Sequence, residues 1–179
     1  MKKLLILGAG GYAQTVADLV RQLGTYERIA FLDDGKSGAD ILGTCQEYAT
    51  FLDAETEVYP AFGNNVLRCQ WMGRLLGEGI PIPTLVHPRA YVSPQAKLGQ
   101  GTVVLPFAVV NTGVTVKDGC ILNIGSLIDH DCVIEDGVHL CPGAIVKAEN
   151  RIAEMEKIES GEVIPARTFP LCKEQNVWK

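Results

Sequence analysis

The chain has 179 residues, 47% of them hydrophobic, which is enough for a packed core in one ordinary domain or two small ones and excludes a disordered tail. A formal net charge of −5 at pH 7, with no basic run, excludes the electrostatic footprint of a nucleic-acid binder. No apolar run reaches the ~20 residues of a membrane span, and Met1-Lys2-Lys3 runs straight into apolar residues with no leader peptide, so a cytoplasmic protein is expected.

Lys3-Leu4-Leu5-Ile6-Leu7 is a continuous apolar run closed by Gly8, which suits a strand buried on both faces of a parallel sheet. Ala13, Val16, Leu19, Val20 and Leu23 then recur at helical spacing, and Gly24 stands where a C-cap would. Arg28 to Leu32 reads as a second strand ending in Asp33-Asp34-Gly35, and Glu57 to Phe62 as a third ending in Gly63-Asn64-Asn65. A helix from about Asn65 to Gly77 leads to a fourth strand, Ile80 to Val86. The alternation predicts a small α/β unit with a parallel sheet, and His87-Pro88 ends it.

From Val92 the period becomes six. Aliphatic residues stand at Val92, Leu98, Val104, Val110, Val116, Leu122, Ile128, Ile134, Leu140, Val146, Ile152, Ile158 and Ile164. Four residues after most of them comes a small or β-branched side chain, from Ala96 and Thr102 to Val138 and Ala144. Asn150, Glu156 and Glu162 break that rule. Neither helix nor ordinary strand has this period. A hexapeptide repeat does: one aliphatic residue per short strand fills a triangular prism, the left-handed parallel β-helix, here of about four coils. Arg151 to Ser160 also fits a helix face through Ile152, Met155 and Ile158, so a capping helix is the alternative there. The expected division is residues 1–87, 88–169 and a C-terminal tail 170–179.

The six cysteines, Cys172 included, show no CxxC pair and no structural zinc spacing, so they read as reduced thiols and no metal is expected. Cys120 and Cys132 fall on the small-residue corner and belong to the core.

Gly8-Ala9-Gly10-Gly11-Tyr12-Ala13, Phe31-Leu32-Asp33-Asp34, Gly63-Asn64-Asn65, His87-Pro88 and His130-Asp131 within hexads form a specific combination. It resembles the bacterial sugar O/N-acyltransferases related to sialic-acid O-acetyltransferase and to the acetyltransferase that makes UDP-diacetylbacillosamine. The resemblance implies a homotrimer that moves an acetyl group from acetyl-CoA to an amine or hydroxyl of a nucleotide-activated sugar, with a UDP-linked amino sugar favoured. It places the nucleotide sugar on the N-terminal unit and acetyl-CoA on the β-helix between subunits.

The residues can be read for those roles. Gly8, Gly10 and Gly11 open a helix after a strand, where backbone N–H groups meet a phosphate. Asp33, Asp34, Gly63, Asn64 and Asn65 lie at the carboxyl ends of predicted strands, where open α/β sheets bind ligands. Asp33 also suits a ribose hydroxyl in an NAD fold, but about 86 residues allow only one mononucleotide half. His130, two positions past the inward Ile128, is the candidate general base, and Asp131 is the candidate orienting acid. In the family a glutamate commonly follows this histidine; Asp131 is one methylene shorter.

Asn123 and His139 match family positions that contact substrate. His139 comes nine residues after His130, half a coil away, so the two would meet only across a subunit boundary. Gly143 and Ala144 are assigned to acetyl-CoA by the resemblance. Pro165-Ala166-Arg167 stands for the family's segment near the CoA nucleotide, arriving only about two coils after His130. The trimer is expected to cover outer apolar residues Leu105, Phe107, Ile121, Ile124 and Val133. The alternatives are a non-catalytic trimeric nucleotide-sugar binder with a shortened CoA platform and an NAD-dependent enzyme.

Overall fold

The structure, a computed structural model, describes residues 2–171; of the expected tail, residues 172–179, Cys172 included, lie outside the described residues. The chain divides into two compact units between Pro88 and Arg89.

In the first unit, β1 (Lys2–Leu7), β2 (Tyr26–Leu32), β3 (Ile41–Gly43) and β4 (Thr56–Pro60) form a parallel sheet of order β3-β2-β1-β4. β1 is central, and Leu4, Leu5, Ile6 and Leu7 are all buried, which is why its apolar run is unbroken. Helix α1 (Gly11–Leu23) buries Ala13, Val16, Ala17, Leu19 and Val20 and ends at Gly24, whose φ of 64° needs no Cβ there. Helix α2 spans Asn65–Gly77.

Three features differ from the sequence reading. The expected fourth strand, Ile80 to Val86, is extended chain, and only Leu85–Val86 (β5) takes strand form. Pro81 and Pro83 have no N–H to give a ladder, although the Pro81 carbonyl accepts from Val58 N–H at 3.1 Å. The edge strand β3 and a 3₁₀ helix over Cys45–Phe51, opened by a Thr44–Glu47 capping box, carry no periodicity that could announce them.

The second unit contains β6 (Tyr91–Val92), β7 (Lys97–Leu98), β8 (Val103–Val104), β9 (Val109–Val110), β10 (Thr115–Val116), β11 (Ile121–Leu122) and β12 (Leu127–Ile128). Then follow β13 (Val133–Ile134), β14 (His139–Leu140), β15 (Ile145–Val146), β16 (Arg151–Ile152), β17 (Lys157–Ile158) and β18 (Val163–Ile164). They stack in parallel as β6-β9-β12-β15-β18 on a first face, β7-β10-β13-β16 on a second and β8-β11-β14-β17 on a third. Every third strand returns to the same face, which closes the three-sided parallel prism of the left-handed β-helix that the hexapeptide repeat predicts. The second residue of each strand points inward, and Val104, Val110, Leu122, Ile128, Ile134, Leu140 and Val146 have no exposed surface. Full burial of each such side chain contributes roughly 1.5–3 kcal/mol.

The small-residue corners are as buried as the aliphatic positions: Thr102, Cys120, Cys132, Val138 and Ala144 are at 0% exposure. The prism continues through β16, β17 and β18, with Ile152, Ile158 and Ile164 buried inside, so the capping helix over Arg151 to Ser160 does not form. Asn150 occupies a corner fully buried. Its amide donates to the carbonyls of Lys147 at 2.8 Å and Pro165 at 2.9 Å and accepts from Phe169 N–H at 2.8 Å. Every polar atom of that buried side chain is therefore bonded to backbone of the last coil.

Two of the residues expected on the outer surface are core: Leu105 and Ile121 are buried within the chain itself. Phe107 at 60% and Ile124 at 47% are exposed. The apolar surface lies mainly on the first face, where Tyr91, Leu127 and Val163 point outward and are exposed, with Val109 and Ile145 between them.

Candidate functional site

At the carboxyl ends of β1, β2 and β4 the sequence places its glycines, acids and amides together. Gly8 has φ 95°, and a Cβ there would meet the Ala61 carbonyl at 3.2 Å and the Phe62 ring at 3.3 Å, so this glycine lets the loops after β1 and β4 touch. Gly10, the N-cap of α1, has φ −74°. Cβ atoms built on Gly10, Gly11 or Gly63 meet nothing within 4 Å, which leaves open backbone at a positive helix end.

Asp33 organises these loops. Its Oδ2 accepts from Ala9 N–H at 2.7 Å, and its Oδ1 accepts from Gly35 and Lys36 N–H at 2.9 and 2.8 Å. Partial burial alone would raise its pKa, but these hydrogen bonds and the Lys36 ammonium outweigh it and hold the carboxyl below its usual range. Asp34 Oδ1 accepts from Cys45 N–H at 2.8 Å. Asn64 caps α2 by accepting from Leu67 N–H at 2.9 Å.

Two residues that the sequence reading did not single out complete this region. Lys36 Nζ donates to the Ala9 carbonyl at 2.9 Å, beside a cavity of about 330 Å³ lined by Ala9, Gln14, Phe31, Lys36, Asp40 and Ile41 among others. Arg68, fully buried, donates to the Phe62 carbonyl and to Asn65 Oδ1, both at 2.9 Å, and so fixes the Gly63-Asn64-Asn65 turn. An arginine three residues after Asn65, on the first turn of a helix, was the only available signal.

In the second unit His130 sits on the corner between the first and second faces. Its ring Nδ1 is 2.9 Å from Asp131 Oδ2. The carboxylate can only accept, so Nδ1–H donates and Nε2 is left as the basic nitrogen. Asp131 makes this contact from a left-handed backbone, φ 56°, which aspartate tolerates and which turns a short side chain back onto its neighbour's ring. The hydrogen bond to Asp131 raises the imidazole above its ordinary pKa; desolvation opposes it, and the charges of Asp129, Asp131 and Glu149 add to the rise. The Asp129 carboxyl is held low by the His130 N–H and then by Asn111, and it pins the backbone at the ring's base.

Asn123 and His139 also meet: Asn123 Nδ2 lies 3.2 Å from His139 Nε2. Asn123 follows β11 on the corner leading into the first face, and His139 points outward from β14 on the third. His130 and His139 therefore stand on different sides of one prism, while the Asn123 and His130 corners bracket the exposed first face. Gly143, φ 69°, and buried Ala144 lie on the same corner column as Asn123. Arg167 is bonded to Glu149.

The described cysteines are free thiols. Burial pushes Cys45 and Cys132 each up to about 11, so neither is a nucleophile near neutral pH. Among the described residues, no helix is long and apolar enough to cross a membrane.

An open glycine turn on a parallel βα unit, joined to hexapeptide coils that carry a histidine–carboxylate pair, defines the β-helical sugar acyltransferases as a class. The PglD N-terminal domain family matches residues 3–75. The acetyltransferase domain of PglB from Neisseria gonorrhoeae FA1090 superposes with a TM-score of 0.88 at 39% identity, covering 91% of this chain and 82% of that one. The same domain has been solved in complex with acetyl coenzyme A. UDP-N-acetylbacillosamine N-acetyltransferase of Bacillus subtilis (strain 168) is 34% identical over 115 residues, 59% of this chain and 52% of the relative, so the chain spans about half that protein's length. Perosamine N-acetyltransferase from Caulobacter crescentus, solved with CoA and GDP-perosamine, shares the fold at TM-score 0.73 and 22% identity, covering 91% of each chain. The chain belongs to the PglD-like family of sugar acetyltransferases.

Proposed function

We propose that this protein transfers the acetyl group of acetyl-CoA to the amine of a nucleotide-linked amino sugar, a UDP-sugar being favoured, with His130 as general base. The observation that carries the reading is the 2.9 Å His130–Asp131 pair on an exposed β-helix corner, with Nε2 free to accept a proton. The amine nitrogen attacks the thioester carbonyl, Nε2 takes the proton it sheds, the C–S bond breaks, and that proton leaves with the CoA sulfur. Asp131 holds the ring's tautomer and balances the imidazolium.

Gly10, Gly11 and Gly63 supply open backbone for the diphosphate, with Asp33, Asp34, Asn64 and Asn65 shaping the loops around it. The exposed outer row Tyr91, Leu127 and Val163, extended by Phe107 and Ile124, is too apolar for a free face, and burying it in a threefold assembly supports a homotrimer. Such packing brings the His130 corner of one copy toward the Asn123–His139 pair of the next, and leaves Gly143 and Ala144 on the wall where acetyl-CoA runs.

The test is an acetyl-transfer assay with acetyl-CoA and a panel of UDP- and GDP-linked amino sugars, the product identified by mass. Acetylation of an amino sugar, lost in His130→Ala, is expected. A protein that binds nucleotide sugar by calorimetry yet ignores acetyl-CoA would instead be the non-catalytic binder, and NADH binding would point to the NAD-dependent enzyme.

A further inference from the structure

The corner between the first and second faces carries a column of residues one coil apart: Gly113, Asp131, Glu149 and Arg167, with φ of 70°, 56°, 59° and 58°. Each turn needs a left-handed residue there. The other two columns mostly meet that need with glycine: Gly101, Gly119 and Gly137 in one, and Gly125, Gly143 and Gly161 in the other. Only this column places three charged side chains in succession in a conformation that a Cβ disfavours. Local folding gives no reason for glutamate and arginine at the two upper positions, where glycine would turn the chain more easily.

Their contacts supply one. Arg167 grips Glu149 with two hydrogen bonds, Nε to Oε2 at 2.9 Å and NH2 to Oε1 at 2.7 Å. Glu149 N–H donates to the His130 carbonyl at 3.2 Å, so the glutamate stands directly over the histidine's coil. Asp131, Glu149 and Arg167 also line one open cavity of about 570 Å³ on the second face, with Lys117, Glu135 and Arg151. Arg151 is already paired with Glu135 at 2.9 Å.

We propose that Glu149 and Arg167 are positioning residues for His130: Glu149 is an anion set one coil above the ring, and Arg167 is the clamp that fixes its place and limits its field. The inference rests on His130 being the base. The groups facing the ring are Asp129 and Asp131 on its own coil and Glu149 on the coil above. Lys147 stands in register over Asp129, and the neutral Asn111 and Thr112 lie below. Glu149 and His130 act on each other's protonation in the same sense, each favouring the other's charged form. Removing either partner of the upper pair must therefore move His130 in opposite directions. Without the clamp, an unscreened Glu149 favours the imidazolium; without Glu149, a stranded Arg167 disfavours it.

The experiment is an NMR titration of the His130 ring in the full chain, its signal assigned by loss in His130→Asn, together with pH–rate profiles. R167Q should move the His130 midpoint and the acid limb of the rate upward, and E149Q should move both downward. For exposed charges several ångströms apart, the rate on the acid limb should change about twofold each way, less at high salt. Arg167→Lys should restore most of the wild-type profile, since a cation remains. Midpoints that move together or stay fixed overturn the proposal, as does R167Q raising the KM for acetyl-CoA with an unmoved acid limb. Full activity in His130→Ala removes the general-base reading instead, and the ring titration still reports on the column.

Discussion

Gly113 is the floor under the His130–Asp131 pair, and adding one methyl group there tests the pair's proposed role without replacing either member. A Cβ built on Gly113 falls 2.3 Å from Asp131 Oδ1, where ordinary contact begins near 3.4 Å, so in Gly113→Ala the carboxylate must retreat by about 1 Å. A shift of that size carries Oδ2 away from Nδ1 and breaks the 2.9 Å bond that fixes the ring. The fold loses less, because the obstructing atom is the end of an exposed side chain. The remaining cost is that of alanine at φ 70°, about 1–2 kcal/mol, or a Tm lower by about 2–8 °C for a chain of this length. Catalysis should fall roughly tenfold, with ~10² as the ceiling for a 1 Å misplacement. The assay is kcat with acetyl-CoA and the amino-sugar acceptor beside a thermal melt, in the wild type and in an Asp131→Ala background. In that background Gly113→Ala should lower Tm again but cost no further rate. An undiminished kcat in Gly113→Ala, or equal rate losses in the two backgrounds, would show that the carboxylate does not act from this position.

His130→Ala should lower kcat by ~10²–10⁴ with little change in acetyl-CoA binding by calorimetry. Because the folded imidazole is raised and the base must be neutral, the wild-type rate should rise with pH through a midpoint above the ordinary imidazole value of about 6.5; a limb below it contradicts the geometry. Asn150→Ala leaves the Phe169 N–H without its acceptor and removes a donor from the Lys147 and Pro165 carbonyls inside the last coil, and should cost about 2–3 kcal/mol in denaturant melts, whereas Ala148→Gly beside it should cost less than half as much. Gly10→Val should leave the melt nearly unchanged, since nothing lies near its Cβ, yet abolish nucleotide-sugar binding by calorimetry; retained affinity would move the diphosphate elsewhere.

The β-helix was legible because each coil repeats one steric demand, and thirteen aliphatic positions state it in phase. Near Ile152 and Ile158 that phase had to be weighed against helix-forming glutamates, and the prism prevailed because an open coil still has an apolar interior to cover. The stretch around Pro81 and Pro83 was misread because apolar residues suggested a strand while two missing N–H donors prevented one. The short β3 and the 3₁₀ turn after it are set by loop capping, which has no period. His130 and Asp131 could be read as neighbours, but the contact between Asn123 and His139 and the grip of Arg167 on Glu149 join residues whose proximity exists only once coils are stacked. Arg68 is hidden for a related reason, since an arginine on a helix gives no sign that it will be buried as a brace.

The stacking also sets a rule for how this domain can change length. Hydrogen bonds such as Gln100 N–H to Asp118 and Asn111 to Asp129 span 18 residues, so the domain grows or shrinks in whole coils. Removing six residues would keep the prism closed yet turn everything beyond the cut by one face, carrying an upper residue away from the corner it serves. Removing 18, residues 133 to 150, would preserve every face and set Arg167 directly above Asp131 in place of Glu149. The polarity of the histidine's surroundings is thus written in the number of coils as much as in the identity of any side chain.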